Sequence, residues 1–232
     1  MKDLRKEKIN QDETSSAADN NTNGAPSMKA PGHSESSEEL KSSQLMKLFE
    51  DQLKDMYWAE NALLQAIPKM IGNASAPELI EALDNHLTET HLQVARLEEV
   101  FELLGKEATS KKCDAMAGLI KEGEGIMNEC ERGAMRDAGI IAAGQKIEHY
   151  EIASYGTLSQ FAETLEMEDA VELLETTLQE EKAADETLTE VAVSVVNIQA
   201  RDQDVEEEGE NAEEGEETTE EEVDTESEEN IK

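Results

Sequence analysis

Seven side chains able to bind a metal fall at helical spacings in this sequence: Glu60, His86 with Glu89, Glu148 with Glu151, and Glu181 with Asp185. The pairs stand three, three and four residues apart, so on an α-helix both members of a pair point to one side. Six carboxylates and one imidazole, with no thiolate, suit one or two hard or borderline divalent ions, iron or manganese ahead of zinc. Their chemistry is notable because of where they fall, which is on or beside apolar stripes. A lone ionised carboxylate inside a helix bundle must be paired, protonated or bound to a cation. Any one of these acids, taken alone, reads as a solvated flanking side chain. The coincidence on four helices is what points to a shared site. His91 and His149 point off these faces, and His33 lies in the N-terminal segment.

The interrupted stripes define the elements. Phe49, Leu53, Met56, Leu63 and Ile67 recur at three and four, which predicts a first helix over about 43–71, with Glu60 in its stripe, Pro68 kinking its last turn and Gly72 closing it. Ser75-Ala-Pro-Glu78 has the spacing of a capping box. It would open a second helix with the face Ile80, Leu83, Leu87, Val94, Leu97, Phe101 and Leu104, ended by Gly105. Between Lys106 and Arg136, short apolar pieces alternate with glycines, which predicts two short helices in a long connection. Ile140, Ile147, Leu158 and Ala162 align on a third long helix, about 137–165, with Glu151 in the stripe. Val171, Leu174, Leu178, Leu188 and Ala192 align on a fourth, about 169–196, interrupted by Glu181 and Asp185. Helix formers dominate and strand-like alternation is nearly absent, so the class is all-α. Short connections within each helix pair and a long one between the pairs predict a four-helix bundle with ferritin-like connectivity.

Composition bounds the rest. Of 232 residues, 56 are acidic and 20 basic, a formal charge of −36. That excess repels phosphate and anionic lipid, so nucleic-acid and membrane partners are excluded. The ending, EEEGENAEEGEETTEEEVDTESEEN, is a solvated acidic tail in composition, and the polar, aperiodic start also reads as disordered. The expected organisation is a disordered segment over 1–41, one folded domain over 42–198 and a disordered acidic tail over 199–232. No apolar run approaches the roughly 20 residues of a membrane span. MKDLRKEKINQDETSS lacks the apolar core of a secretory signal, so the expected location is the cytoplasm. Cys113 and Cys130 have no CxxC spacing and are expected to be plain buried or half-buried thiols. Hydrolase readings lack a motif: there is no GxSxG, HExxH or phosphate-cradling glycine loop.

Over Leu45 to Val196 the chain resembles the YciE/YciF family of ferritin-like bacterial stress proteins. The resemblance rests on FEDQLKDMYWAENALLQAIPKM, HLTETHLQVARLEEVFELLG, CDAMAGLIKEG, KIEHYEIASYGTL and LLETTLQEEKAADETL, in that order. It implies a ferritin-like four-helix bundle, a homodimer, a di-iron or manganese carboxylate centre, and a link to osmotic or oxidative stress. Carried across, it makes Glu60 the first-helix bridging acid, His86 and Glu89 the second-helix pair, Glu148 and Glu151 the third-helix acids, and Glu181 with Asp185 the fourth. It implies no particular reaction. As an enzyme the protein would be a di-iron oxidoreductase of ferroxidase or peroxidase type, with Tyr57, Tyr150 and Tyr155 available to relay electrons. The alternative is a non-catalytic dimeric helical scaffold with a solubilising acidic tail. Two features depart from the wider ferritin-like pattern of Glu-x-x-His on two helices. The order here is His86-Leu-Thr-Glu89, and the fourth helix has no histidine.

Overall fold

A computed structural model describes residues 43–202. The N-terminal segment and the acidic tail from residue 203 onward lie outside the described residues. Five α-helices are present among them: α1 Gln44–Asn73, α2 Pro77–Leu103, α3 Asp114–Glu129, α4 Ala134–Thr164 and α5 Glu168–Val191. After α5 the chain passes through one π-turn, Ala192–Val196, and stays helical through residue 202, past the expected domain limit at 198.

Helices α1, α2, α5 and α4 form a closed ring in which each packs against the next, and α3 lies outside against α4 and α1. The expected stripe of α1 is buried in full, Glu60 included. The long connection runs the length of α1. Lys106 pairs with Glu50, the Lys111 amide donates to the Lys54 carbonyl at 3.1 Å, Lys69 pairs with Glu124, and Arg132 donates to the Ala74 carbonyl at 3.1 Å. It therefore crosses from one end of the bundle to the other, as ferritin-like connectivity requires.

The structure corrects three local readings. The connection holds one helix, α3, rather than two short ones, because Gly118, Gly123 and Gly125 are absorbed into a single helix. A Cβ on Gly123 would stand 3.3 Å from that of Ala143, so the small residue serves the contact of α3 with α4. Gly72 lies within α1, which ends one residue later. Ser75 does not cap α2, whose cap residue is Ala76 with no side-chain bond. The cap comes from α4, where the buried Asp137 carboxylate accepts the Ser75 and Ala76 amides, both at 2.8 Å. This device ties the start of α4 to the α1–α2 turn across sixty residues of sequence. Asp137→Ala leaves the buried Ala76 amide without a partner and is expected to cost about 1–3 kcal/mol, read as a lower urea midpoint with an unchanged slope. The other end of α2 matches expectation. Gly105, at φ 69°, ends it with Lys106 N donating to Phe101 O and Gly105 N to Glu102 O, the Schellman pattern.

The inner face of α2 differs from the apolar pattern. Its buried row is Leu79, Leu83, His86, Thr90, Gln93, Leu97, Val100 and Phe101. Ile80, Leu87, Val94 and Leu104 are only half-buried. Three polar residues hold the middle of the core-facing row, so the periodicity of apolar residues alone drew the face partly off its true position.

Candidate metal centre

Midway along the bundle, each of the four ring helices sends ionisable side chains inward. Glu60 on α1, Glu151 on α4 and Glu181 on α5 are fully buried, while His86 on α2 and Glu148 on α4 are nearly so. One ligand atom from each of His86, Glu148, Glu151 and Glu181 lies within 4.8 Å of all the others. His86 Nε2 stands 3.4 Å from a Glu148 oxygen. Glu60 borders the group through its interaction with Glu151, and the Tyr155 hydroxyl donates to one Glu60 oxygen and leaves the other without a partner.

These side chains carry eight buried polar atoms with no hydrogen-bond partner: both imidazole nitrogens of His86, both oxygens of Glu151 and of Glu181, and one oxygen each of Glu60 and Glu148. Among the described residues, no lysine or arginine joins the group. Arg96, the nearby cation on α2, is held in a fork by Glu180 at 2.5 and 2.6 Å, with Thr177 as a further acceptor at 3.2 Å. Buried polar groups in folded proteins are almost always satisfied, so eight unpartnered atoms in one place form a donor set that cations would satisfy. Four carboxylates balance the charge of two divalent ions, and oxygen donors with one imidazole fit iron or manganese.

Metal-free, the group must hold protons. Burial and the charge of Glu181 push Glu60 up to about 8. Burial likewise lifts Glu148 to about 8, and the neighbouring Glu181 opposes that rise. Glu151 is held well above the carboxylate range by burial and the charge of Glu60, and Glu181 by burial, which the charge of His86 opposes. Burial pulls His86 down, but the approach of Glu89 and the charges of Glu181 and Glu60 outweigh it and raise the imidazole. The Tyr155 phenol, raised by burial and by Glu60, stays a donor.

Two of the seven expected ligands stand apart. Glu89 is 40% exposed in its side chain, with its carboxylate 3.9 Å from His86 Nδ1. Asp185 accepts from Gln145 Nε2 at 3.3 Å and lies 3.4 Å from His149 Nε2, near the surface. Of the three tyrosines, Tyr155 alone touches the group. Tyr57 donates to Glu98, and Tyr150 contacts Cys113 Sγ at 3.0 Å. Cys113 is buried and Cys130 half-buried, and both thiols are free. The role of Tyr155 was signalled only by its place one turn beyond Glu151. Nothing in the sequence signalled the Arg96–Glu180 fork.

Residues 44–201 match the family described as a domain of unknown function, DUF892. The chain belongs to that family. Protein YciF of Escherichia coli K12 is 44% identical over 163 residues, which are 68% of this chain and 98% of YciF. Among solved structures, the E. coli stress protein YciF superposes with a TM-score of 0.64 at 43% identity, covering 67% of this chain and 98% of its own. YcfI of Rhodopseudomonas palustris does so with a TM-score of 0.61 at 41% identity, over 63% and 94%. A Xanthomonas campestris protein, at 23% identity and a TM-score of 0.52, shares the fold. The YciF resemblance read from the sequence is thus shown. No helix among the described residues is long and apolar enough to cross a membrane.

Proposed function

We propose that this chain is a homodimeric, cytoplasmic stress protein that holds a di-metal centre of iron or manganese on Glu60, His86, Glu148, Glu151 and Glu181, and that it consumes peroxide or oxygen while oxidising ferrous iron. One observation carries the reading: eight unpartnered polar atoms, buried and converging from four helices without a lysine or arginine among them. The stress setting is supported by the 43%-identical E. coli relative, described as a stress protein. The cytoplasm is supported by the two free thiols, since oxidising compartments favour disulfides. Exposed Leu48, Leu92 and Leu103 on α1 and α2 offer apolar surface for a second copy to cover.

A redox-active ion held among these side chains would supply one-electron exchange with an oxidant. With ferrous iron as substrate the balance closes: two ferrous ions each give up one electron, and peroxide takes both electrons and two protons and leaves as two waters. The residues here do the holding. Tyr155 fixes one Glu60 oxygen and so aims the other, Glu148 and Glu181 can carry a proton between them, and burial keeps bulk water from the group.

The test is metal content by elemental analysis. The full chain and its Glu60→Ala, Glu151→Ala variant are loaded with Fe2+ or Mn2+ without oxygen, then washed with EDTA. Both share the acidic tail, so its cation binding cancels. The unaltered chain is expected to retain about two ions more per chain; equal contents sink the reading. A second reading, a non-catalytic homodimeric scaffold, draws on the R. palustris relative, described as a candidate structural protein. It requires stress survival to be unaffected by the same double substitution.

A further inference from the structure

Resting on the metal reading above, we propose that the cleft between α2 and α5 is the route by which divalent cations reach the buried group, with Glu89 as the transfer carboxylate at its mouth. The cleft encloses about 390 Å³, and His86 and Glu148 form part of its lining. These two are the only members of the group with any exposure, 6% and 3%, while Glu60, Glu151 and Glu181 have none. Burial therefore falls off in one direction, toward this cleft.

Its α5 wall is formed by Ala183, Ala184 and Leu188, with Thr187 at the rim, so the alanines keep part of it open, while Glu89 stands opposite on α2. Any larger side chain at position 184 would narrow the passage. Glu89 completes the argument. It is half in water and 3.9 Å from the unpartnered Nδ1 of His86, so a cation held there is one short step from a buried ligand. Its exposure, which separates it from the buried ligands, is what such a transfer requires. The larger cleft lined by Glu99, Glu102, Asp169 and Glu172 is acidic too, yet touches none of the five buried side chains.

The experiment follows Mn2+ uptake by the full chain. The metal is added, excess EDTA is introduced after a set delay, and the ion retained after rapid desalting is counted. EDTA strips ions from the tail and surface, so retention reports the buried group. Ala184→Phe is expected to slow uptake at least tenfold and reach the same final content. Thr187→Phe, on an exposed rim position that leaves packing intact, should act in the same direction if the first variant folds poorly. Glu89→Gln is expected to slow uptake severalfold, most at low salt, where carboxylate attraction is least screened. Unchanged rates in both plugged variants overturn the route while leaving the centre standing. Loss of final content in both plugged variants also overturns it, since the cleft would then be part of the site. Absence of retained Mn2+ in the unaltered chain overturns the metal reading on which the route depends.

Discussion

At pH 8, with divalent metal removed, Glu151→Gln is expected to unfold at a higher temperature than the unaltered chain and to retain no metal on reloading. Glu151 is fully buried on α4, and neither of its oxygens has a hydrogen-bond partner. Its neighbours Glu60, Glu181 and Glu148 all raise its pKa, so each favours its neutral form. The amide is nearly isosteric, carries no charge and can donate to those carboxylates. At pH 8 folding must return to Glu151 a proton that the unfolded chain has lost, a cost of about 1.4 kcal/mol for each pH unit above the unfolded value that the amide does not meet, and for a domain of this size each kcal/mol moves the midpoint by about 2–4 °C. Differential scanning calorimetry in EDTA checks the first half and elemental analysis the second. A lower midpoint for Glu151→Gln would mean that Glu151 stabilises the apo fold and that its burial has a structural purpose. The predicted pairing, greater stability with lost binding, is the trade-off of a site kept for function.

The pH dependence of the metal-free protein should be equally large and of unusual sign. Glu60 and Glu148 titrate near 8 in the folded chain, against about 4.5 when unfolded. Between those values the folded state holds protons that the unfolded state has lost, so stability falls as pH rises, by about 1.4 kcal/mol per unit for each such group. Counting a single carboxylate, the loss from pH 5 to pH 8 is about 4 kcal/mol. The raised imidazole of His86 adds in the same direction, because its extra proton is also lost as pH climbs. Thermal midpoints in EDTA should therefore drop steadily from pH 5 to pH 8. Surface self-repulsion cannot imitate the upper part of this window, since exposed carboxylates are fully ionised by pH 6. The slope between pH 6 and pH 8 should accordingly flatten in Glu148→Gln, Glu151→Gln. With Mn2+ present the trend should reverse, because ion binding needs the deprotonated ligands. A flat profile in EDTA would place these acids in a far more solvated setting than the bundle interior.

Much of this architecture was legible in the letters. The α1 stripe, with Glu60 as its single acidic member, is read from spacing alone because every core position but one is apolar. The α4 pair Glu148 and Glu151 and the α5 acid Glu181 were equally visible, each standing where a helix of that phase must turn inward. On α2 the same reasoning weakened. Its inner row carries His86, Thr90 and Gln93, so the apolar residues Ile80, Leu87 and Val94 marked a neighbouring face instead. The glycines at 118, 123 and 125 suggested breaks, whereas α3 runs through them, since helix propensity is a weak prior that tertiary packing overrides. The Asp137 cap was illegible for another reason: its partners lie sixty residues away, and no local pattern encodes such a pairing.

Residue type and periodicity alone were enough to establish an all-α chain, four long amphipathic helices, and acids set against apolar stripes. Those are local properties, settled by which side chains share a helix face. Separating the seven candidate ligands into five that converge and two that stand outside required the packing of the ring. Glu89 and Glu148 each sit three residues from a partner, yet one is 40% exposed and the other 3%. Their depth depends on which helix lies opposite and how closely it approaches, a distance set by side chains far away in the chain.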